Sequence, residues 1–259
     1  MSASASTLTL RALEGIGEVR PGHLIEDVLI DALERNAVAL ARNDVVAVCQ
    51  KIVSKSENRY VELASVEPST KAVELSAKCG KDPRYVEVVL RESTAVVRCA
   101  KDVLIVRHRL GFVVANAAID QSNIEGGDER VLLLPENPDR SAAHLRDAIR
   151  KRLGVEVAVV ITDSFGRAWR LGVCGVCIGC AGLMPLADQR GQPDRFGRAL
   201  RITQVAVADQ IASAATLIMG EGSEGLPVVI VSGVPSKAFG EPAPASALIR
   251  CAREDLFGP

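Results

Sequence analysis

Three places in the chain deliver carboxylates and small polar groups straight after apolar runs. Val157-Ala-Val-Val-Ile161 leads into Thr162-Asp163-Ser164-Phe165-Gly166-Arg167. Phe112-Val-Val-Ala-Asn-Ala-Ala-Ile119 leads into Asp120-Gln121-Ser122-Asn123. Met219 is followed by Gly220-Glu221-Gly222-Ser223-Glu224-Gly225. Asp with Ser is a hard-oxygen pair suited to Mg²⁺ or Mn²⁺, and open α/β sheets bind ligands at the carboxyl ends of their strands. Taken alone, Asp163 reads better as a cap or turn residue, and Asp120 equally opens an Asx-turn. Glycines in the third stretch let backbone N–H groups approach a phosphate. Glu221 and Glu224 would repel that phosphate unless a divalent cation lay between, because bare charges in contact repel by about 4 kcal/mol at an effective dielectric near 20. A solvated helix-to-strand turn is the other reading. Lys51, Lys55 and Arg59 follow one apolar run, and Arg167 and Arg170 flank Trp169 after Asp163. Such cations hold phosphates or carboxylates, or simply face water.

Other motifs lead elsewhere or nowhere. No G-x-x-x-x-G-K-[ST] loop is present, so P-loop chemistry is excluded. Gly220 to Gly225 matches G-x-G-x-x-G but follows a predicted helix and precedes a strand. A dinucleotide fingerprint needs the reverse order. Cys174, Cys177 and Cys180 form C-x-x-C-x-x-C, with no further cysteine until Cys251. On a strand, residues three apart point to opposite faces, so these read as packed small residues rather than as an iron–sulfur site. His23, His108 and His144 make no ligand pattern and read as structural or solvated.

The elements that would position these groups alternate along the chain, which predicts an α/β fold or an α+β fold with mixed sheets. Helices are expected over Leu24–Arg35, Thr70–Cys79, Pro83–Arg91, Asp139–Leu153 and Val205–Met219. Strands are expected over Asp44–Cys49, Thr94–Arg98, Val103–Arg107, Phe112–Ala115, Val155–Ile161, Val173–Ile178 and Leu226–Val231. Leu24, Val28, Ala32 and Leu33 form the apolar face of the first helix. Asp82 and Pro83 start one helix, and Gly80 and Gly154 end others. The chain reads as a single domain over 1–259, with a small helical lobe around 60–95.

The 259 residues carry 31 Lys+Arg against 32 Asp+Glu. That balance gives no global pull on nucleic acid or anionic membrane. With aromatics at 3%, base-stacking platforms are hard to assemble. The N-terminus lacks the charged and apolar regions of a secretory signal. The longest low-polarity stretch, Val173–Ala187, is too short and too glycine-rich to span a bilayer. A cytoplasmic protein with free thiols is expected.

In order along about residues 12–232, the chain resembles the coenzyme F420-0:γ-glutamyl ligase family (CofE-like). The resemblance rests on Val53-Ser-Lys55-Ser-Glu57, Arg109-Leu-Gly-Phe-Val, Ile119-Asp-Gln-Ser-Asn123, Ile161-Thr-Asp-Ser-Phe-Gly-Arg167, Trp169-Arg170, Phe196-Gly-Arg198, Val205-Ala-Val-Ala-Asp209 and Met219-Gly-Glu-Gly222. It implies a CofE-like α/β fold in an intertwined homodimer, without the C-terminal nitroreductase-like domain of longer members. It implies a GTP-dependent ligase that adds L-glutamate to F420-0 through an acyl phosphate, with two Mg²⁺ or Mn²⁺ ions per site and a monovalent cation such as K⁺. Carried over by position, the metal ligands are Asp120, Asp163, Ser164 and Glu221, with the first two assigned to one ion and the last two to a second. GTP contacts fall at Ile16, Gly17, Glu18, Val19, Gln50, Lys51, Lys55, Asn123, Leu217, Met219, Gly220, Gly222 and Glu224. Lys55, Asp120 and Asp163 are the catalytic candidates, with Lys55 stabilising phosphate charge.

The chain departs from the family at Ile16-Gly17-Glu18-Val19, which lacks a proline, and at Cys49-Gln50-Lys51. It departs again at Ser164 in place of threonine, at Val173 and Gly175, and at Gln210. These departures leave the acceptor open between F420-0, an analogue and another acid. The competing readings are a non-catalytic nucleotide- or deazaflavin-binding paralogue and an iron–sulfur protein.

Overall fold

Runs of valine, isoleucine and alanine set the central sheet. In the computed structural model, which describes residues 7–251 and 254, five strands lie in the order β1 (Thr9–Ala12), β12 (Val228–Ser232), β2 (Val45–Cys49), β8 (Ala158–Arg167) and β9 (Arg170–Ala181). Only the β2–β8 pair is parallel; β1–β12, β12–β2 and β8–β9 are antiparallel. The fold is therefore mixed α/β, as the alternation of apolar runs predicts. Because side chains alternate along a strand, Val46, Val48, Val159 and Ile161 face one core and Val45, Ala47, Ala158 and Val160 the other. The first core is covered by α1 (Ile25–Arg35) and α5 (Pro138–Leu153), the second by α6 (Val207–Met219).

Close backbone approach holds these layers together. A Cβ at Gly175 would lie 2.2 Å from Thr216 Oγ1 and 2.6 Å from the Ala212 carbonyl, and one at Gly179 would lie 2.4 Å from the Pro138 backbone. Glycine at both positions lets α6 and α5 lie directly on β9. The departure at Gly175 thus has a packing reason.

A third apolar cluster joins α3 (Thr70–Cys79) and α4 (Pro83–Arg91) to strands farther along the chain, including Leu104, Val106, Val131 and Leu133. The strands here are β4 (Ser93–Ala100), β5 (Val103–His108) and β6 (Val113–Ala115) in one antiparallel sheet, and β3 (Tyr60–Glu62) with β7 (Arg130–Leu132) in another. Asp82 caps α4 through Arg84 N–H, and Gly80 and Gly154 adopt the left-handed conformation after α3 and α5. His108, fully buried, stacks on Phe112 and accepts the Leu110 N–H at Nδ1, a structural role.

Four expectations are corrected. Leu24 lies outside α1 and is 54% exposed; Ile25, Leu29, Ala32 and Leu33 form the buried stripe. The strand expected over Val155–Ile161 starts at Ala158 and continues through Asp163 to Arg167, because β9 pairs with it as a hairpin. Gln204–Ala206 is a strand, β11, paired with β10 (Leu186–Asp188), so the helix starts only at Val207. Finally, Ile178 is a bulge: Thr162 pairs with Cys177 and Val160 with Cys180. The extra residue reverses the strand's phase, so Cys177 and Cys180 are buried in one cluster rather than on opposite faces. Cys174 lies outside that cluster, opposite Phe165.

Among the described residues, no helix is long and apolar enough to cross a membrane.

Candidate active site

The parallel strands β2 and β8 end at the same edge of the sheet, where open α/β sheets take ligands. β2 runs directly into α2 (Gln50–Ser56), which carries Gln50, Lys51 and Lys55. β8 carries Thr162, Asp163 and Ser164. The loop between α6 and β12 brings Gly220 to Pro227 alongside. Together with Ile16–Val19 and the Asp120–Asn123 segment they enclose a cavity of about 580 Å³.

Asp120 is held by strained backbone. Asn116, Ala117 and Ala118 have φ of 52°, 53° and 54°, a left-handed turn that costs about 1–2 kcal/mol for each residue with a Cβ. The turn persists because Ala117 is fully buried in the third cluster. Its neighbour Asp120 is fixed in an antiparallel bridge to Leu132 by hydrogen bonds of 2.9 and 3.0 Å. Strain of this kind is concentrated at ligand sites.

The polar groups form connected pairs. Gln50 Nε2 donates to Asp120 Oδ2 at 2.5 Å and is oriented by Ser54 Oγ, which donates to Gln50 Oε1 at 2.9 Å. Lys51 Nζ lies 3.3 Å from Asp120 Oδ1 and donates to the Ser122 carbonyl at 3.0 Å. Lys55, buried, donates to Glu18 Oε1. Ser164 Oγ donates to Glu221 Oε1 at 2.6 Å. Asn123 Nδ2 ties the glycine loop by donating to the Gly222 carbonyl at 2.9 Å, and Glu224 accepts the Gly222 N–H at 2.8 Å. Gly220, at φ 74°, leaves room for the Glu224 carboxylate, which a Cβ there would meet at 2.2 Å.

Asp163 stands out electrostatically. Burial, then the charge of Asp120, push its carboxyl up to about 8; Glu221 adds to the rise, and the Ser164 N–H and Lys51 oppose it. Burial likewise raises Asp120, against Lys51, Gln50 and Lys55. Burial pushes the Cys49 thiol up to about 11, which leaves it protonated and unreactive at neutral pH. A half-buried carboxylate with two acidic neighbours is a group that a cation would favour. As the side chains lie, no three carboxylate, imidazole or thiol groups among the described residues already make a metal cage. Asp120 is engaged by Lys51 and Glu221 by Ser164.

Of the residues singled out in the sequence, Ile16, Gly17, Glu18, Val19, Gln50, Lys51, Lys55, Asp120, Asn123, Asp163, Ser164, Met219, Gly220, Glu221, Gly222 and Glu224 all line this one cavity. Leu217 does not: it is 80% exposed, because Thr216 is the residue that α6 turns toward the cavity. Arg59 turns away to Glu92 and the Leu134 carbonyl. Arg167 and Arg170 stand at the β8–β9 hairpin end, outside the cavity. Ser122 and Thr162, which belong to the polar stretches read from the sequence but were assigned no contact there, also line it, as does Pro227, which no motif marks.

Fold and cavity place the chain among enzymes with a mixed α/β sheet and an open, carboxylate-floored cleft. The family model described as F420-0:Gamma-glutamyl ligase matches residues 15–233. The chain is 45% identical over 242 residues to the coenzyme F420:L-glutamate ligase of Methanopyrus kandleri, covering 93% of each chain. It is 38% identical over 250 residues to that of Methanothermobacter thermautotrophicus, covering 96% of this chain and 98% of the relative. The corresponding enzyme of Haloarcula marismortui is 40% identical over 251 residues, with 95% and 93% covered. The chain belongs to the F420-0:gamma-glutamyl ligase family.

Proposed function

We propose that the protein is a GTP- and divalent-metal-dependent ligase that adds L-glutamate to coenzyme F420-0, or a close analogue, through amide bonds. The observation that carries this reading is the convergence of Asp120, Asp163 and Glu221 with Lys51, Lys55 and a glycine loop on one cavity. A carboxylate is a poor acyl donor and must be activated. Its oxygen attacks the γ-phosphorus of GTP, and GDP leaves. The glutamate amine then attacks the acyl carbon, phosphate leaves, and the amine gives up a proton. Phosphoryl transfer needs positioning and charge neutralisation more than covalent help. Lys51 and Lys55 supply positive charge to the phosphates. The Asn123–Gly222 bond holds the glycine loop against them. Ile16–Val19, Gln50, Met219, Gly220 and Glu224 shape the nucleotide pocket.

The donor chemistry of Asp120, Asp163, Ser164 and Glu221 suits Mg²⁺ or Mn²⁺. These four residues would hold two such ions, with a monovalent cation such as K⁺ assisting. Bound there, the metals neutralise triphosphate charge. The chain acts as a single ligase domain over 1–259. The working form is a homodimer, which the apolar side chains left bare support: Trp169 is 92% exposed, Leu171 98%, Phe196 84% and Ile202 88%. Trp169 and Leu171 lie together at the β8–β9 hairpin end, and contiguous exposed apolar surface marks an association site.

The test is to incubate the protein with GTP, Mn²⁺, F420-0 and L-glutamate and follow the product by mass. A gain of one or more glutamyl residues is expected. GTP hydrolysis without that gain would point to a different acid acceptor, and nucleotide binding without turnover to a non-catalytic paralogue.

A further inference from the structure

Beside the nucleotide cavity lies a second one of about 450 Å³, lined by Glu18, Arg20, Asn123, Ile124 and Glu125. Glu18 and Asn123 line both cavities, so a ligand in the second adjoins the first. The charges of the second cavity differ in kind. Among the described residues the Arg20 guanidinium has no hydrogen-bond or ion-pair partner; only its backbone is engaged, through His23. Glu125 likewise has no hydrogen bond or ion pair. The nearby cation Arg130 is already used, ion-paired with Glu62 Oε1 at 2.6 Å and lying over the Tyr60 ring at 4.2 Å. Burial, then the charge of Glu18, raise the Tyr60 phenol, and Glu125 adds to the rise, so both carboxylates act on the same locality.

Lys55 matches the charge of Glu18 on the nucleotide side, so Glu125 is the unpaired negative charge here, and with the free Glu18 oxygen it attracts an ammonium. An unpaired guanidinium is shaped to grip a carboxylate through two parallel hydrogen bonds. We infer that this second cavity is the site for the amino-acid substrate, in which Arg20 binds a carboxylate of L-glutamate and Glu18 and Glu125 hold its ammonium group at the wall shared with the nucleotide cavity. The inference rests on the ligase reading above. It gives the amine a place next to the cavity in which the acyl donor is activated. It also gives a role to Glu18 beyond its bond to Lys55: one carboxylate touches both the phosphate-side lysine and the incoming amine.

Initial rates with L-glutamate varied at saturating GTP, F420-0 and Mn²⁺, and then with GTP varied at saturating L-glutamate, test it. Losing a charged hydrogen-bond partner corresponds to about a 10- to 100-fold loss in binding. Arg20→Ala should therefore raise KM for L-glutamate by about that factor, with KM for GTP within about twofold of wild type. Arg20→Lys should restore part of the loss, and Glu125→Gln should raise the same KM. An unchanged glutamate KM in both Arg20→Ala and Glu125→Gln, or an equal rise in KM for GTP, overturns the assignment. Should the wild type transfer no glutamate, the ligase reading fails on its own. Saturation-transfer NMR with L-glutamate, and with glutarate as the amine-free control, then decides the site. Contact with L-glutamate in preference to glutarate, abolished by Arg20→Ala, upholds it. No contact, or equal contact with both, removes it.

Discussion

Replacing Asp163 by asparagine should make the metal-free protein more stable at alkaline pH while destroying its activity. In the unfolded chain this carboxyl loses its proton near the ordinary value of 3.8; in the fold it does so near 8. Between those values the folded state holds a proton that the unfolded state has released. Stability therefore falls as pH rises through the window, and the full penalty is present above about 8. At about 1.4 kcal/mol for each tenfold in proton affinity, the gap corresponds to about 6 kcal/mol. Water reaching this half-buried group screens part of it, which leaves about 2–4 kcal/mol. Asparagine carries no proton to lose. Asp163→Asn should match wild type only below about pH 4 and exceed it near pH 8.5 by roughly 5–15 °C in Tm, at about 2–4 °C per kcal/mol for a chain of this size. Adding Mn²⁺ near pH 8.5 should close most of that gap. A ligand at a hundred times its Kd stabilises by about 2.7 kcal/mol, and that gain should appear in wild type alone. Turnover of the variant should fall by at least about 10²-fold, the scale for losing a central electrostatic group. The assay is thermal unfolding followed by circular dichroism at both pH values, with EDTA and with Mn²⁺. An Asp163→Asn protein equally destabilised at both pH values, or a wild type whose Tm ignores Mn²⁺, would refute the reasoning.

Three further outcomes are expected. Glu92, in contact with Arg109, Arg59 and His108, is raised by burial, but these partners outweigh it and hold the carboxyl at about 2. Its contribution is full above the ordinary 4.5 and is lost as pH falls through about 2. Glu92→Gln should thus cost about 3 kcal/mol at neutral pH, and denaturant titrations should show the deficit closing on acidification below about pH 4; a constant deficit contradicts the assignment. Gly175→Ala forces α6 off β9 at a backbone carbonyl that cannot rotate away, so its Tm should drop by the equivalent of about 1–3 kcal/mol, and an unchanged Tm would show that the helix shifts freely. Trp169→Glu with Leu171→Glu should convert a dimer to a monomer in sedimentation equilibrium; a wild type that sediments as a monomer ends the dimer reading.

How far the site could be read from the sequence follows from the range of the forces involved. Thr70–Cys79 and Pro83–Arg91 are helices to the residue, because Asp82, Pro83 and Gly80 act through local hydrogen bonds and backbone torsion. The family motifs gathered the acidic segments in advance, and the cavity lining includes every position carried over from the family except Leu217, while the cations Arg59, Arg167 and Arg170 lie outside it. Local rules failed where a partner strand decides. Asp163 looked like a residue past the end of a strand, yet β9 extends the ladder beyond it and seats it in the sheet, where its carboxyl loses water and its proton affinity climbs. The Ile178 bulge could not be seen from the C-x-x-C-x-x-C spacing, since it exists only in the register between β8 and β9. The left-handed turn at Asn116–Ala118 was hidden for a related reason. Two alanines have no intrinsic preference for positive φ, and only burial of Ala117 against the third cluster, with the Asp120–Leu132 bridge beyond it, holds them there. Asp120 and Asp163 thus owe their placement to contacts between segments distant in sequence. A substitution that loosens the third cluster, such as Leu104→Ala, is therefore expected to weaken Mn²⁺ binding from a distance.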